Sequence, residues 1–387
     1  MSTIKVTNIE HESTANGGIQ LDNAGHVTVD GQQMPTAGAL SNRNLIINGA
    51  MQVAQRGTAN ATPVGYQTVD RFKANASGGT FSQERIDLTS SDSPYSSGFR
   101  HAFRVKNSAV ATANNHYRQF EQAVEAQDAR KCGWNYNSTS SYVTISFWAR
   151  SSVSGTYCFD FRSNDGTAQA YATSITLVAD TWKKFELTYP GDSDITINDD
   201  NGIGFRLVWG LYFGSNFTAS NADMNQWHAF SSATICPDDT AGWGTTLNAT
   251  FDVTGVQLEV GEKATPFEHR SYADELRRCQ RYRYQIDLGN AAAPSHLVMT
   301  RFEAGSGVAY ASIQFPCEMR IAPNFSYTGS TLSATGYAGN PVLNRATKSF
   351  CDLRAQRTTG SNTTVYLRAP STGNSSDVLV LNFDAEL

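Results

Sequence analysis

Trp209, Tyr212, Phe213, Trp227, His228 and Trp243 occupy one stretch of the chain, interleaved with Asn216, Asn221, Asp223 and Asn225. That mixture suits a carbohydrate. Sugars offer apolar C–H faces that stack on flat rings, and hydroxyls that need amide, carboxylate or imidazole partners. Tyr212, Asp223, Asn225, Trp227, His228 and Trp243 are therefore the candidate glycan-binding residues. Trp209 is set apart, because its neighbours alternate as a strand and assign it to a core. Two readings of Trp227 and Trp243 stand side by side. They are exposed stacking platforms, or buried rings covering the end of a β-fold, which tryptophan's burial tendencies support at least as well.

A second cluster, Asp192, Asp194, Asp199 and Asp200, brings several carboxylates into one short loop and is a weak calcium candidate. Calcium wants about six to eight oxygens, and this loop lacks the fixed spacing and terminal Glu of an EF-hand. A solvated hairpin with Asx turns accounts for the same residues. No other cofactor is expected. The chain contains no Gly-x-x-x-x-Gly-Lys-Ser/Thr, His-Glu-x-x-His or Gly-x-Ser-x-Gly, and its seven histidines stand singly. His228 beside Trp227, and His269 between Glu268 and Arg270, read as packed or exposed side chains. The expectation is a binding or structural protein, not an enzyme.

The elements that must position these residues are strands. From Asn44 to about Glu268, short apolar-alternating runs recur between polar turns, the pattern of a β-sandwich. The clearest are Tyr142–Arg150, Gly155–Arg162, Ser174–Val178, Lys183–Tyr189, Gly204–Tyr212 and Phe251–Val260. In the first, Val143, Ile145 and Phe147 share one face, and Tyr142, Thr144, Ser146 and Trp148 share the other. Phe120–Ala129 fits either a short helix or a strand followed by a helical turn. Tyr272–Arg283 is the best helix, with Tyr272, Leu276 and Cys279 on one face. It opens a second β-rich unit whose expected strands are Leu297–Phe302, Val308–Phe315, Ser349–Arg357, Thr363–Arg368 and Asp377–Phe383. Residues 1–40 form a leader. Ile4, Val6 and Ile9 suggest one strand, and Ile19–Leu21 and Val27–Val29 flank the turn Asp22–Gly25 as a hairpin. Met34–Gly38 reads as a linker. A segment with so few apolar groups cannot bury a core of its own, so it needs a partner.

Composition agrees with this layout. A chain of 387 residues should hold two or three domains, and only 17% of its residues are charged while 11% are aromatic. A net charge of −5 speaks against a dedicated nucleic-acid binder. Residues 270–387 nevertheless carry 12 basic and 9 acidic groups against 18 and 26 in residues 1–269, which marks a boundary near Arg270. No membrane insertion is expected, since no stretch approaches the ~20 apolar residues of a span. The N-terminus lacks an apolar signal region, so the protein is expected to be made in the cytoplasm and to leave by lysis if it leaves. Six widely spaced cysteines suggest neither a zinc site nor a disulfide framework, and read as reduced, mostly buried small hydrophobes.

Two passages carry a family resemblance: Asn44–Gly57 (NLIINGAMQVAQRG) continuing into Gly65–Phe72 (GYQTVDRF), and Val256–Tyr284 (VQLEVGEKATPFEHRSYADELRRCQRYRY). With TISFWARSS, DTWKKFELTYPGD and Phe315–Pro323 (FPCEMRIAP), these resemble bacteriophage tail-fibre and other virion appendage proteins. The leader, with LDNAGHVTVDG, is similar to the β-hairpin segments that begin phage fibre chains. The resemblance implies an all-β chain: an N-terminal β-hairpin leader (1–40) that anchors to other virion proteins, a central jelly roll similar to a carbohydrate-binding module (41–269), and a small β-rich C-terminal domain opened by one short helix (270–387). It implies a homotrimer located on the virion, a tail fibre binding host surface glycan or receptor without enzymatic activity. The alternative is a head fibre or decoration protein attached to the shell. A glycan-degrading tailspike is disfavoured, because no internal repeat is visible.

Overall fold

Short aliphatic strands come first. The computed structural model describes residues 8–9, 18–21, 27–29, 32–33, 42–61, 64–111, 113–238, 241–290, 293–294, 297–299, 301–303, 308–328, 337–357, 365–367 and 378–387. In the leader, β1 (Asn8–Ile9), β2 (Ile19–Leu21), β3 (Val27–Val29) and β4 (Gln32–Gln33) pair in sequence order as an antiparallel meander. Ile9, Ile19 and Val29 align across three strands and Leu21 lies opposite Val27, so the two-residue period puts all five on one side. Ile9, Ile19, Leu21 and Val29 are 59%, 44%, 39% and 37% exposed. One face of this small sheet is thus an exposed aliphatic surface. Ile4, Val6, the turn Asp22–Gly25 and the linker Met34–Gly38 lie outside the described residues.

The chain divides into two compact units, Met1–Ser271 and Tyr272–Leu387. In the first, the sandwich strands are β5 (Ala59–Asn60), β6 (Phe72–Ser77), β7 (Phe81–Asp87), β8 (His101–Asn107), β9 (Tyr117–Glu125) and β10 (Tyr142–Ser151). They continue with β11 (Gly155–Ser163), β12 (Gln169–Leu177), β13 (Lys183–Pro190), β14 (Ile203–Phe213), β15 (Trp227–Ala229) and β16 (Thr250–Val260). One sheet runs β13-β10-β16-β8-β7-β5 and the other β15-β12-β11-β14-β9-β6. The ambiguous stretch after Phe120 is β9 followed by a short helix, α1 (Ala126–Lys131).

Alternation decides what lies between the sheets. Val143, Ile145, Phe147 and Ala149 of β10 enter the core, together with Phe205, Leu207, Trp209 and Leu211 of β14. Trp209 is fully buried, stacked on Phe120 with ring centroids 4.9 Å apart and met edge-on by Phe147 and Phe159. Burying each such side chain is worth about 1.5–3 kcal/mol, so this aromatic cluster is a main source of stability. The core assignment of Trp209 from its strand pattern agrees with its position.

On the outward side of the first sheet, charges are paired. Asp252 of β16 accepts from Arg104 Nε (2.7 Å) and Nη2 (2.9 Å), and from Arg150 Nε (2.9 Å) and Nη2 (2.8 Å). Arg150 also donates to Asp92, which accepts the Trp182 indole N–H at 2.8 Å. Both oxygens of this buried carboxylate accept charge-assisted bonds, one at Oδ1 and three at Oδ2, which is what makes its burial tolerable.

The second unit opens with α2 (Tyr272–Gln280), three residues shorter than expected, because Arg283–Asn290 is already a strand. That strand, Val378–Asp384 and Asn324–Thr328 lie side by side, and Arg301–Glu303, Val308–Gln314, Phe350–Arg357 and Tyr337–Ala346 form another sheet. The run expected over Leu297–Phe302 is split between a short strand Leu297–Met299, paired with Val365–Leu367, and Arg301–Glu303. Phe315, Met319, Cys351, Leu353, Leu381 and Phe383 make the core of this unit.

Candidate functional site

The structure does not assemble the aromatic candidates into one platform. Trp243 is fully buried within the sandwich core. It sits in a 3-10 turn, Trp243–Thr245, held by Asn107, whose Nδ2 donates to the carbonyls of Gly244 (3.0 Å) and Thr246 (2.9 Å). Trp227 is half-buried at the sheet edge. Its ring lies against Phe161 and Tyr171, with centroids 5.6 and 5.5 Å away, and its indole N–H donates to the Pro190 carbonyl at 2.7 Å. Both tryptophans therefore close the sandwich, and the exposed-platform reading is corrected. The reason is local: β15 pairs with β12 so that Trp227 lies opposite Tyr171, which points inward.

The remaining candidates are dispersed. Asp223 accepts from Gln226, Asn225 has a left-handed backbone (φ 59°) and His228 lies near the Gln226 carbonyl, all along the exposed approach to β15. Tyr212 lies on the outer face of the second sheet, over Gly244, where a Cβ would come within 2.3 Å of its ring. The acidic loop does not converge on a cation either. Asp192 and Asp200 cap their own turns by accepting from the Asp194 and Gly202 amides, and Asp199 pairs with Lys131 at 2.7 Å. Among the described residues, no three His, Cys, Asp or Glu side chains are grouped as a metal site requires. The loop's contacts give Asp192 and Asp200 Asx turns and Asp199 an ion pair.

A different aromatic cleft, of about 420 Å³, opens on the outer face of the first sheet. Its lining includes Ser146 and Trp148 of β10, Lys184 of β13, Phe99, and Phe267 and His269 of the segment after β16. Trp148 is half-buried. Among the described residues, neither its indole N–H nor the Ser146 hydroxyl has a side-chain hydrogen-bond partner. Phe99, Phe267 and His269 form one aromatic wall: Phe99 meets Phe267 edge-on at 4.9 Å, and Phe267 meets His269 at 4.8 Å. His269 is steadied by a 3.0 Å contact from Nε2 to the Ser97 carbonyl. At the rim, Lys184 pairs with Glu186 at 2.7 Å.

The wall stands where it does because β16 catches the chain that follows it. Glu259 accepts from the Thr265 amide (2.9 Å) and hydroxyl (2.6 Å), and Gln257 accepts from the Glu268 amide (2.8 Å). These outward side chains fold the segment back over the sheet. Arg270 then ties its end to the Ile46 carbonyl at 3.0 Å and to Glu268 at 3.1 Å. The floor is opened by a bulge. Two residues of β16, Gly255 and Val256, stand where the register between Ser146 and Trp148 allows one. Gly255 has φ 66°, and a Cβ there would lie 2.6 Å from the Phe99 ring. Only glycine accommodates both that conformation and that approach.

The two-residue alternation puts Ser146 and Trp148 on the face of β10 opposite Val143, Ile145 and Phe147, but carries no sign that Phe267 and His269 return to them. The arrangement offers a stacking ring, an unspent indole donor, a hydroxyl and a rim ion pair. Those are the groups that hold a sugar ring by its apolar face and its hydroxyls.

No protein-family model matches the chain, and no curated protein matches it. Solved structures with a similar fold include the enzymatically active domain of tailspike protein 4 from bacteriophage CBA120, at 10% identity and a TM-score of 0.31. The match covers 57% of this chain and 22% of that one, so the chain spans about a fifth of the tailspike domain it resembles. A family 11 carbohydrate-binding module from Clostridium thermocellum, in complex with a β-1,3-1,4-mixed-linked tetrasaccharide, aligns at 12% identity over 55% of this chain and 99% of that one, with a TM-score of 0.26. The N-terminal cellulose-binding domain of Cellulomonas fimi β-1,4-glucanase C aligns at 11% identity over 55% and 99%, with a TM-score of 0.27. At these identities and scores the likeness says nothing of what this chain binds.

Proposed function

We propose that this protein is a non-enzymatic, fibre-like virion appendage whose sandwich holds a host surface glycan in the Trp148 cleft. The observation that supports the binding role is the half-buried Trp148 ring with its unspent N–H, facing an aromatic wall across a cleft open to solvent. The resemblance of NLIINGAMQVAQRG and VQLEVGEKATPFEHR to phage fibre proteins supports the virion setting. Single sugar contacts are weak, and a trimer multiplies them by presenting several clefts to one surface. The test is a glycan array of bacterial surface polysaccharides probed with the full-length chain. Retention of one structural class, with the glycan recovered at its original length, is the expected result. An empty array from folded protein would overturn the glycan reading, and shortened glycan would overturn the non-enzymatic one.

The leader anchors the appendage in this reading. Its aliphatic face, with Ile9, Ile19, Leu21 and Val29 exposed, is too small to be stable alone and has its own strand edges to satisfy. Identical neighbours about a threefold axis, together with an adjoining virion protein, supply both. Deleting residues 1–40 is expected to leave a folded 41–387 fragment that fails to join particles, measured as copy number per virion. Incorporation at the full-length level would move the anchor to the arginine-rich second unit.

A further inference from the structure

A second cleft, of about 220 Å³, lies on the outer face of the other sheet and is lined by Cys158, Cys236, Tyr212, Phe213, Ser174 and Asp238, among others. Cys158 points outward from β11. Cys236 belongs to the long connection after β14 and is bridged in parallel to Thr218. The two cysteines share one apolar cluster with Ala172, Phe213 and Ile235, and both line the same cleft. They are far apart in sequence, so spacing alone gave no sign of the pair. Both are free thiols in this structure.

We propose that Cys158 and Cys236 are a latent disulfide, closed by a small-molecule disulfide once the protein meets oxidising surroundings. The cleft supplies the entry path, since both cysteines, though buried, line it. Cys236 loses its proton and its thiolate attacks one sulfur of the reagent, breaking the reagent's S–S bond and releasing one thiolate. Cys158, also deprotonated, then attacks the Cys236 sulfur of the mixed disulfide and expels the second reagent thiolate. The two protons from the cysteines end on the two reagent thiols. The protein pair is oxidised by two electrons, and the reagent is reduced by two. The hydrogen bond to Cys236, followed by burial, pushes the Cys158 thiol well above its ordinary range. Closure is therefore slow at neutral pH and faster at mildly alkaline pH.

The bond would staple the connection that carries Phe217, Trp227, Phe230 and Ile235 onto β11. Elsewhere that connection is held by the short β15–β12 pairing and by backbone contacts such as the Asn225 amide to the Ala172 carbonyl (2.9 Å) and the Phe230 amide to the Ala168 carbonyl (2.8 Å). A covalent tie across so long a loop acts mainly by restricting the unfolded chain.

The experiment incubates the full-length protein with oxidised glutathione at mildly alkaline pH. Thiols are then counted in denaturant, and the peptides are mapped without reduction. The expected result is a fall from six titratable thiols to four, a linked Cys158–Cys236 peptide, and a melting temperature raised on the order of 5–10 °C. Cys236→Ser should lose both the linked peptide and the shift. Six thiols remaining, glutathione retained on one cysteine, or a bond joining any other pair would overturn the proposal. The peptide map on the unaltered chain decides the matter even if the variant folds poorly.

Discussion

Replacing Trp243 with alanine is expected to cost the sandwich about 3–5 kcal/mol. Its ring is fully buried among the residues that fill the space between the two sheets. The turn that carries it is pinned by three carbonyl contacts from Asn107, so its backbone cannot swing in to fill the void. A cavity with fixed walls keeps nearly its whole volume, and the cost rises with that volume. Trp243→Phe is a sharp control. The indole N–H has no acceptor among the described residues, so phenylalanine gives up no hydrogen bond there and should recover most of the loss. Urea unfolding followed by circular dichroism measures both variants. A loss under about 1 kcal/mol for the alanine variant would show that the ring is not packed as described.

Trp148→Ala should behave in the opposite way. Its ring is half-buried against the small cluster that holds Phe99, Ala102 and Trp182, and it forms no ring–ring pair and no side-chain hydrogen bond among the described residues, so folding should suffer less than from Trp243→Ala. A stacking residue at the centre of a small site carries much of its affinity. Affinity for the glycan class found on the array should fall about 10- to 100-fold, equal to about 1.4–2.8 kcal/mol. Titration calorimetry with that glycan reads the change, and the melting temperature of the same sample shows that the fold persists. Binding that survives Trp148→Ala unchanged would place the glycan elsewhere on the molecule.

The opposite fates of these tryptophans show what one-dimensional pattern can and cannot carry. Strand existence was readable, because alternation in segments such as Tyr142–Arg150 follows directly from the two-residue period. The cleft was only partly readable: alternation puts Trp148 and Ser146 on one face of the strand, but nothing local singles that face out or supplies the other wall. That wall depends on Gln257 and Glu259 capturing the backbone of Thr265 and Glu268, a return that no local periodicity encodes. For Trp227 and Trp243 the sequence left exposure and burial both open, because polar, glycine-rich surroundings normally mark surface; here a short edge strand and a 3-10 turn carry their rings against the core. The fibre-like passages have a structural explanation as well. Asn44 accepts from the Ile46 and Leu258 amides, and Asn48 bonds Val53 and the Asp70 carbonyl, so much of NLIINGAMQVAQRG closes the fold instead of touching a ligand.

The bulge at Gly255 partitions the outer surface of β16 into two provinces. On one side lies Asp252, locked to Arg104 and Arg150, where almost any exchange strands a buried charge. On the other lies the cleft, whose Trp148, Lys184, Phe267 and His269 contribute little to the core that Val253, Val256 and Leu258 fill from the opposite face. Mutational drift is therefore unevenly tolerated along a single strand. Under the proposed glycan role, cleft residues can be exchanged over generations as the glycan changes, while the scaffold a few residues away stays under strict thermodynamic constraint.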